Sequence, residues 1–330
     1  MRKIRIAQIG MNFYSHGDMA AAGFIKSDRF EFVGYCLPEG ERDKFPHRLT
    51  ELAGQPELTL EAILCDPTIE AVAVETDEIY LTKYALMAAK AGKHVYMEKP
   101  GSADHEAFTQ LVRILRDNRK VFHLGYMYRY NPAIMELMTR IRNGELGEIL
   151  NVEAQMNCTH PLEARRWMEQ MPGGMMFFLG CHLIDLILQI QGEPLAVHAF
   201  CRSSGLDGVS ALDSGFAVLE YPSGVSFAKT NNVEHGGYMR RQLVVTGSKE
   251  TVVIEPLERA LGPGRLVSDV TCSRERDWHK PPIVSRSVEY ARYGAMIDAF
   301  ADEVLGLREN PYSYEYELKL HKLVLQACGL

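Results

Sequence analysis

Three ionisable residues stand in sequence settings that favour proton-transfer chemistry: Lys99, His182 and Asp185. Lys99 is the last residue but one of the segment 92–100, which reads Gly-Lys-His-Val-Tyr-Met-Glu-Lys-Pro. Pro100 has no backbone N–H and favours an extended conformation in the residue before it, so we expect the lysine at the carboxyl end of a strand. Ligands of open α/β sheets bind at that edge. The pattern therefore favours Lys99 as an acid or base over an ordinary surface lysine.

His182 and Asp185 lie in an apolar helical segment, 175–190, that follows Gly173-Gly174. Phe178, His182 and Asp185 are spaced i, i+4 and i+7, so they share one helix face. Polar groups on an apolar face are costly unless they are paired or used. A core histidine bonded to a structural aspartate is the plain alternative. The glycine turn and Lys99 favour His182 as the second proton-handling group, with Asp185 orienting it.

The first predicted strand runs into a loop that could hold a phosphate. Gly10 suits a tight turn, Asn12 stands where a second glycine is usual, and the small Ser15 takes the third position. The loop predicts a pyrophosphate near Gly10, Met11, Asn12 and Phe13 at a helix N-terminus. An ordinary strand-to-helix turn is the alternative for so degenerate a fingerprint.

The end of the second predicted strand leaves the nucleotide type open. Leu37 occupies the place where an acidic residue would hold the ribose hydroxyls of NAD. Glu39 could reach back to that position, or Arg42 could accept the 2′-phosphate of NADP. We therefore predict NAD or NADP as the cofactor.

Alternation of apolar strands and helices organises the N-terminal third. Predicted strands at 4–9, 30–36, 71–75, 94–97 and 121–126 are separated by helical runs. Nearly continuous apolar strands indicate a parallel sheet covered on both faces. We predict a Rossmann-type dinucleotide-binding domain over residues 1–126.

Residues 127–330 have a different pattern of predicted secondary structure and form the second predicted domain. This part begins with a helix at 132–143, a strand at 149–157 and the apolar helix. Strands follow near 195–203, 213–221, 225–231, 241–247, 250–255 and 266–274. The last two elements are helices at 290–305 and 314–327. The prediction is an α+β domain with a large, open and mainly antiparallel sheet, for substrate binding and oligomerisation. The fold class is thus α/β followed by α+β.

Composition excludes several classes of protein. The 330 residues are 46% hydrophobic and 24% charged, and 36 Lys and Arg against 43 Asp and Glu give a net charge of −7. This balance disfavours phosphate-driven nucleic-acid binding. Segment 175–190 is too short for a membrane span, and no secretory signal is apparent. Seven scattered cysteines without a Cys-x-x-Cys pair predict a cytoplasmic protein with reduced thiols and no metal site.

Three motifs together resemble the Gfo/Idh/MocA oxidoreductases, the family of glucose–fructose oxidoreductase and inositol dehydrogenase. They are the 92–100 segment, the run Gly-Tyr-Met-Tyr-Arg-Tyr-Asn-Pro at 125–132, and Gly-x-His-x-x-Asp at 180–185. The resemblance covers essentially the whole chain. It implies an NAD(P)-binding domain, a sheet that makes dimer or tetramer contacts, and sugars, cyclic polyols or related hydroxylated substrates.

The resemblance also implies roles for individual residues. Lys99 matches a lysine that touches nicotinamide ribose and substrate, and His182 matches the active-site histidine. Cofactor contacts are implied for Gly10, Thr76 and Glu98.

Two functions follow as hypotheses. In the first, the chain oxidises a secondary alcohol: His182 takes the hydroxyl proton, Lys99 polarises the oxygen, and Tyr126, Arg129 and Trp167 contact the substrate. A variant holds the cofactor tightly and performs elimination or hydrolysis with no net redox change. In the second, the chain is a catalytically dead nucleotide-binding or regulatory protein.

Departures from the family pattern motivate the second hypothesis. Many members have Asp where this chain has Phe178, and their Thr-Pro-Asn is Thr76-Asp77-Glu78 here. A phenyl ring cannot orient an imidazole by a hydrogen bond as a carboxylate does.

Overall fold

The computed structural model describes residues 1–330 except Met1, Phe13, Ser15, Phe45 and Trp278, and excludes the side chains of 46–48. It divides into two compact units. The first comprises Met1–Tyr126 with Tyr293–His321, and the second comprises Met127–Arg292 with Lys322–Leu330.

A five-stranded parallel sheet forms the centre of the first unit. Its strands lie in the order β2-β1-β3-β4-β5. They are β1 (Ile4–Ile9), β2 (Phe30–Cys36), β3 (Ala71–Val74), β4 (His94–Met97) and β5 (Phe122–Leu124). All residues of β3 are buried, as a strand covered on both faces requires. The order reverses direction between β1 and β3, and the carboxyl edge beside such a switch point is where dinucleotides bind.

Helices connect these strands. They are α1 (Gly17–Lys26), α2 (Glu41–Lys44), α3 (Leu60–Cys65), α4 (Glu78–Lys90) and α5 (His105–Asp117). Local sequence fixes several starts: the Asp104 carboxylate, for example, accepts the Ala107 N–H at 2.9 Å and caps α5. The amphipathic α5 buries Phe108, Leu111 and Leu115.

An eight-stranded sheet dominates the second unit, in the order β15-β14-β11-β10-β6-β9-β8-β7. Within this sheet, the described pairs are antiparallel except for β6 and β9, which are parallel. In chain order the elements are α6 (Pro132–Arg142), β6 (Ile149–Asn157), α7 (Leu162–Trp167), α8 (Cys181–Gln191), β7 (Ala196–Arg202), β8 (Ser214–Tyr221), β9 (Gly224–Asn231), β10 (Gln242–Gly247), β11 (Thr251–Ile254), β12 (Arg259–Gly262), β13 (Arg265–Val267), β14 (Asp269–Ser273) and β15 (Ile283–Arg286). The predicted fold class is confirmed for both parts of the chain.

Several local features differ from the prediction. The single strand at 266–274 is two strands, β13 pairing with β12 and β14 pairing with β11. Strand β15 was not predicted. The apolar helix begins with a π-helical turn, Met176–Gly180, before α8 continues it. Such turns insert a residue into the helix and change which side chains share a face.

The C-terminal helices are α9 (Gly294–Val304) and α10 (Tyr314–Cys328). Residues 293–321 return to the first unit, where Phe300 of α9 packs on Phe24, Phe30 and Tyr96. Asn310 donates to the Phe122 carbonyl oxygen at 3.0 Å, so this segment covers the edge strand β5.

Candidate functional site

Gly10 sits where the first strand turns toward α1, and no other residue fits. Its φ is +91°, and its N–H donates to the Cys36 carbonyl oxygen at 2.8 Å. A Cβ at this position would lie 2.4 Å from Thr76 Cγ2 and 2.6 Å from the Thr76 backbone nitrogen. The loop after β1 therefore packs directly against the end of β3, as the tight turn of a dinucleotide loop requires.

Asn12 replaces the expected second glycine by turning its side chain inward. The residue is 1% exposed, and its Nδ2 donates to Glu78 Oε2 at 2.8 Å. Its Oδ1 accepts the Tyr14 N–H at 3.0 Å, and its own N–H donates to the Glu75 carbonyl oxygen. Because the amide is engaged within the protein, the asparagine is compatible with a ligand approaching the loop backbone.

Met11 contacts a carboxylate that the sequence analysis did not single out. Its N–H donates to Glu41 Oε2 at 2.9 Å, and Glu41 is 1% exposed at the start of α2. Burial raises the pKa of Glu41 to about 8, and the nearby Asp77 adds to this effect. Phe13 and Ser15, also predicted to lie in the loop, are outside the described residues.

The two residues proposed to choose between NAD and NADP both have protein partners. Glu39 accepts from Lys83 Nζ at 2.6 Å and from the Tyr84 hydroxyl at 2.8 Å, and Lys83 lowers its pKa. Arg42 pairs with Glu57.

The carboxyl ends of β3 and β4 bring together Thr76, Glu98 and Lys99, all of them buried. Lys99 Nζ lies 3.5 Å from Glu98 Oε1, and burial raises the pKa of Glu98. Gly125 lets Glu98 approach, because a Cβ at Gly125 would be 2.9 Å from Glu98 Oε2. Tyr126, two residues after β5, is also buried and donates its N–H to the Leu124 carbonyl oxygen. Lys99 thus places a buried amino group beside a buried carboxyl group.

In the second unit, His182 lies in the first turn of α8, directly after the π-helical turn. It is 2% exposed, and its ring meets Tyr128 edge-on with centroids 5.2 Å apart. The Tyr128 hydroxyl donates to Glu258 Oε2 at 2.9 Å, and Arg292 binds the same carboxylate. Burial and Glu258 raise the pKa of Tyr128, so the phenol stays protonated and fixed. Sequence reasoning missed Glu258 because nothing local marks it.

The carboxylate of Asp185 binds the guanidinium of Arg129. The sequence analysis had predicted Arg129 as a substrate contact. Arg129 donates from Nε at 3.0 Å and from its terminal nitrogen at 2.8 Å, and Gln189 adds a third donor at 2.9 Å. Both members of the ion pair are almost fully buried. The pair ties the segment just after residue 126 to the helix that bears His182.

Phe178 and Trp167 pack edge to face, with ring centroids 5.3 Å apart. Phe178 is buried and Trp167 is half-buried, so the indole keeps an accessible surface. The position four residues before His182 is therefore part of an aromatic pair.

In the described part of the chain, no group of three or more His, Cys, Asp or Glu side chains is placed to hold a metal ion. In the same residues, no helix is both long and apolar enough to cross a membrane.

Comparison with known proteins identifies both halves of the chain. Residues 4–126 match the family described as "Oxidoreductase family, NAD-binding Rossmann fold", and residues 134–253 match the "GFO/IDH/MocA C-terminal domain". The resemblance inferred from the motifs is confirmed.

Curated relatives and solved structures agree with that match. The chain is 32% identical to scyllo-inositol 2-dehydrogenase (NADP(+)) IolW of Bacillus subtilis (strain 168) over 142 residues, covering 42% of this chain and only 40% of that protein. It is 25% identical to trans-1,2-dihydrobenzene-1,2-diol dehydrogenase of Bos taurus, covering 70% and 71% of the two chains. Aldose-aldose oxidoreductase from Caulobacter crescentus has the same fold, with a TM-score of 0.80, 19% identity and coverage of 99% and 98%.

Proposed function

Because the chain belongs to the GFO/IDH/MocA family of oxidoreductases, we propose that it is an NAD(P)-dependent dehydrogenase. Its substrate would be a secondary alcohol of a sugar, cyclic polyol or related molecule. The observation that supports this most is Lys99, buried at the carboxyl end of β4 within the same sheet edge as the Gly10 turn. The names of two relatives describe dehydrogenation of ring-borne hydroxyl groups.

The first unit fits a dinucleotide. Gly10 makes the tight turn against Thr76, Asn12 turns inward, and α1 begins at Gly17 with backbone N–H groups suited to a pyrophosphate. Gly10, Met11, Asn12 and Phe13 would hold the pyrophosphate. Thr76, Glu98 and Lys99 would hold the nicotinamide half, which when bound supplies the hydride acceptor or donor.

The chain's own residues would handle the proton. We assign to His182 the acceptance of the hydroxyl proton at a ring nitrogen, and to Lys99 the polarisation of the same oxygen through Nζ. Tyr128 packs edge-on against the imidazole and would hold its orientation. Tyr126 and Trp167 would contact the substrate, whereas Arg129 would act through Asp185.

Phe178 also supports a second candidate function, that of a nucleotide-binding protein without turnover. An enzyme that retains its cofactor during elimination or hydrolysis is a variant of the first candidate. Nucleotide binding is common to all three, so turnover separates them.

The test combines binding with catalysis. Calorimetry with NAD+, NADH, NADP+ and NADPH at millimolar concentration should show binding of at least one, and nicotinamide absorbance should change with a member of a polyol and sugar panel. Binding without absorbance change or product would favour the inactive form, and product without absorbance change would favour the non-redox enzyme. Absence of binding by all four nucleotides, with no nucleotide co-purifying with the protein, would refute the oxidoreductase function.

We also propose a homodimer or homotetramer formed through the large sheet. The face of that sheet away from α8 carries Phe200, which is 53% exposed, beside Phe216, and Val218 beside Phe227. Light scattering at micromolar concentration should give a multiple of the monomer mass. A monomeric mass would contradict the proposal.

A further inference from the structure

Three buried carboxyl groups surround the loop that would receive the pyrophosphate. Glu41 accepts the Met11 N–H, and Glu78 accepts from Asn12 Nδ2. Glu75 is bonded through its backbone to Ile9 and Asn12, and its Cβ lies 3.1 Å from where a Cβ of Gly17 would be, at the first residue of α1. Each of the three acidic side chains is at most 1% exposed.

These carboxyl groups are poorly satisfied as anions. Oε1 of Glu41, Oε1 of Glu78 and both side-chain oxygens of Glu75 have no hydrogen-bond partner among the residues that the structure describes. Burying an ionised carboxylate without donors is costly, so the neutral form is favoured. Burial raises the pKa of Glu41 and of Glu78 to about 8, and that of Glu75 well above its usual value.

The neighbouring charges do not reverse this preference. The anions around the three groups are Asp18, Asp77 and Glu98, and the cations are Lys44 and Lys99. Cys36, which also interacts with Glu41, has its pKa raised to about 12 and remains a neutral thiol.

A dinucleotide adds two negative charges at this place. We propose that the loop binds its cofactor only with Glu41 and Glu78 protonated, so that the cofactor and protons bind together. The inference rests on the proposed dinucleotide site.

The expected effect follows from linkage. If one group with a pKa of about 8 must be protonated in the complex, the Kd rises about tenfold between pH 7 and pH 9, and for two independent groups about a hundredfold. Near pH 8, where each group is half ionised, binding should take up about one proton in total.

The experiment is calorimetric titration of the full chain with NADH and with NADPH across this pH range, in two buffers of different ionisation enthalpy. Glu41→Gln and Glu78→Gln mimic the neutral acids, so each should keep the affinity at pH 7 within about threefold and remove about tenfold of the pH dependence. The double variant should bind almost independently of pH. Glu61→Gln, at an exposed position of α3, is the matched control and should keep the wild-type slope.

Each outcome has one meaning. A wild-type Kd that does not change with pH, or an unchanged slope in the double variant, would overturn the proton coupling while leaving the dinucleotide site intact. No binding of either nucleotide at any pH would refute the dinucleotide site itself. Should the variants fail to fold, the proton uptake of the wild-type protein decides, because zero uptake near pH 8 contradicts the proposal.

Discussion

Replacing Asp185 by asparagine should destabilise the second unit severely. The guanidinium of Arg129 makes its contacts with Asp185 at 2.8–3.2 Å, and the two side chains are 2% and 1% exposed. Removing one charge of a buried pair leaves the other without compensation, which costs about 3–5 kcal/mol. Water cannot offset this loss, because neither side chain is accessible.

The cost should belong to the orphaned charge rather than to a missing favourable bond. Replacing both partners by apolar residues of similar size, Arg129→Met with Asp185→Leu, should therefore restore most of the stability, since a buried ion pair contributes little net stability over a packed apolar pair. The double variant should lie within about 2 kcal/mol of the wild type.

Urea denaturation followed by circular dichroism measures these differences. Glu289→Gln is the matched control in the same unit, because Glu289 pairs with Arg265 and the two side chains are 44% and 58% exposed, so the loss of this pair should cost far less than the loss of the buried one. If Asp185→Asn costs no more than this control, the buried pair is not an anchor of α8. The single variants Arg129→Met and Asp185→Leu give the two separate losses of stability. If the double variant loses as much stability as these two losses added together, the reasoning about the orphaned charge is wrong.

Three further results are expected. Lys99→Ala and His182→Ala should each lower kcat by roughly 10²–10⁴-fold in steady-state kinetics on an identified substrate. His182→Ala should leave nucleotide affinity nearly unchanged, and wild-type turnover in either variant would remove that residue from the mechanism. Phe216 stacks on Phe227 on the apolar face of the large sheet. Phe216→Arg places a charge on this face and should convert the oligomer to monomers, as measured by light scattering. An unchanged mass would exclude that face as the contact between subunits. The pKa values of Glu41 and Glu78 in the folded protein lie near 8, above their ordinary value of 4.5, so the folded state binds more protons than the unfolded state. The free energy of unfolding should therefore fall by roughly 2 kcal/mol per group as the pH rises from 6.5 to 8.5. Thermal melting across this range tests the last expectation, which a constant or rising stability would contradict.

Local sequence determined much of this protein. The periodicity of apolar residues located all five strands of the parallel sheet, and residue types at their ends located the Gly10 turn and Lys99. These features depend on contacts between near neighbours in the chain, or on covalent properties of glycine and proline. They can therefore be predicted from a single sequence. The family followed from the same short motifs.

Only the tertiary structure decided which polar groups meet. Glu41 reaches Met11 across 30 positions of sequence, and Arg129 reaches Asp185 across 56. Residues 293–321 return to the first unit and cover its edge strand, although nothing in their composition distinguishes them from the second. The one-residue insertion of the π-helical turn is likewise absent from the apolar pattern around Phe178. Such features depend on which distant surfaces pack together and on how much water that packing removes, and the energy of burying a charge is set there, not by its neighbours in the chain.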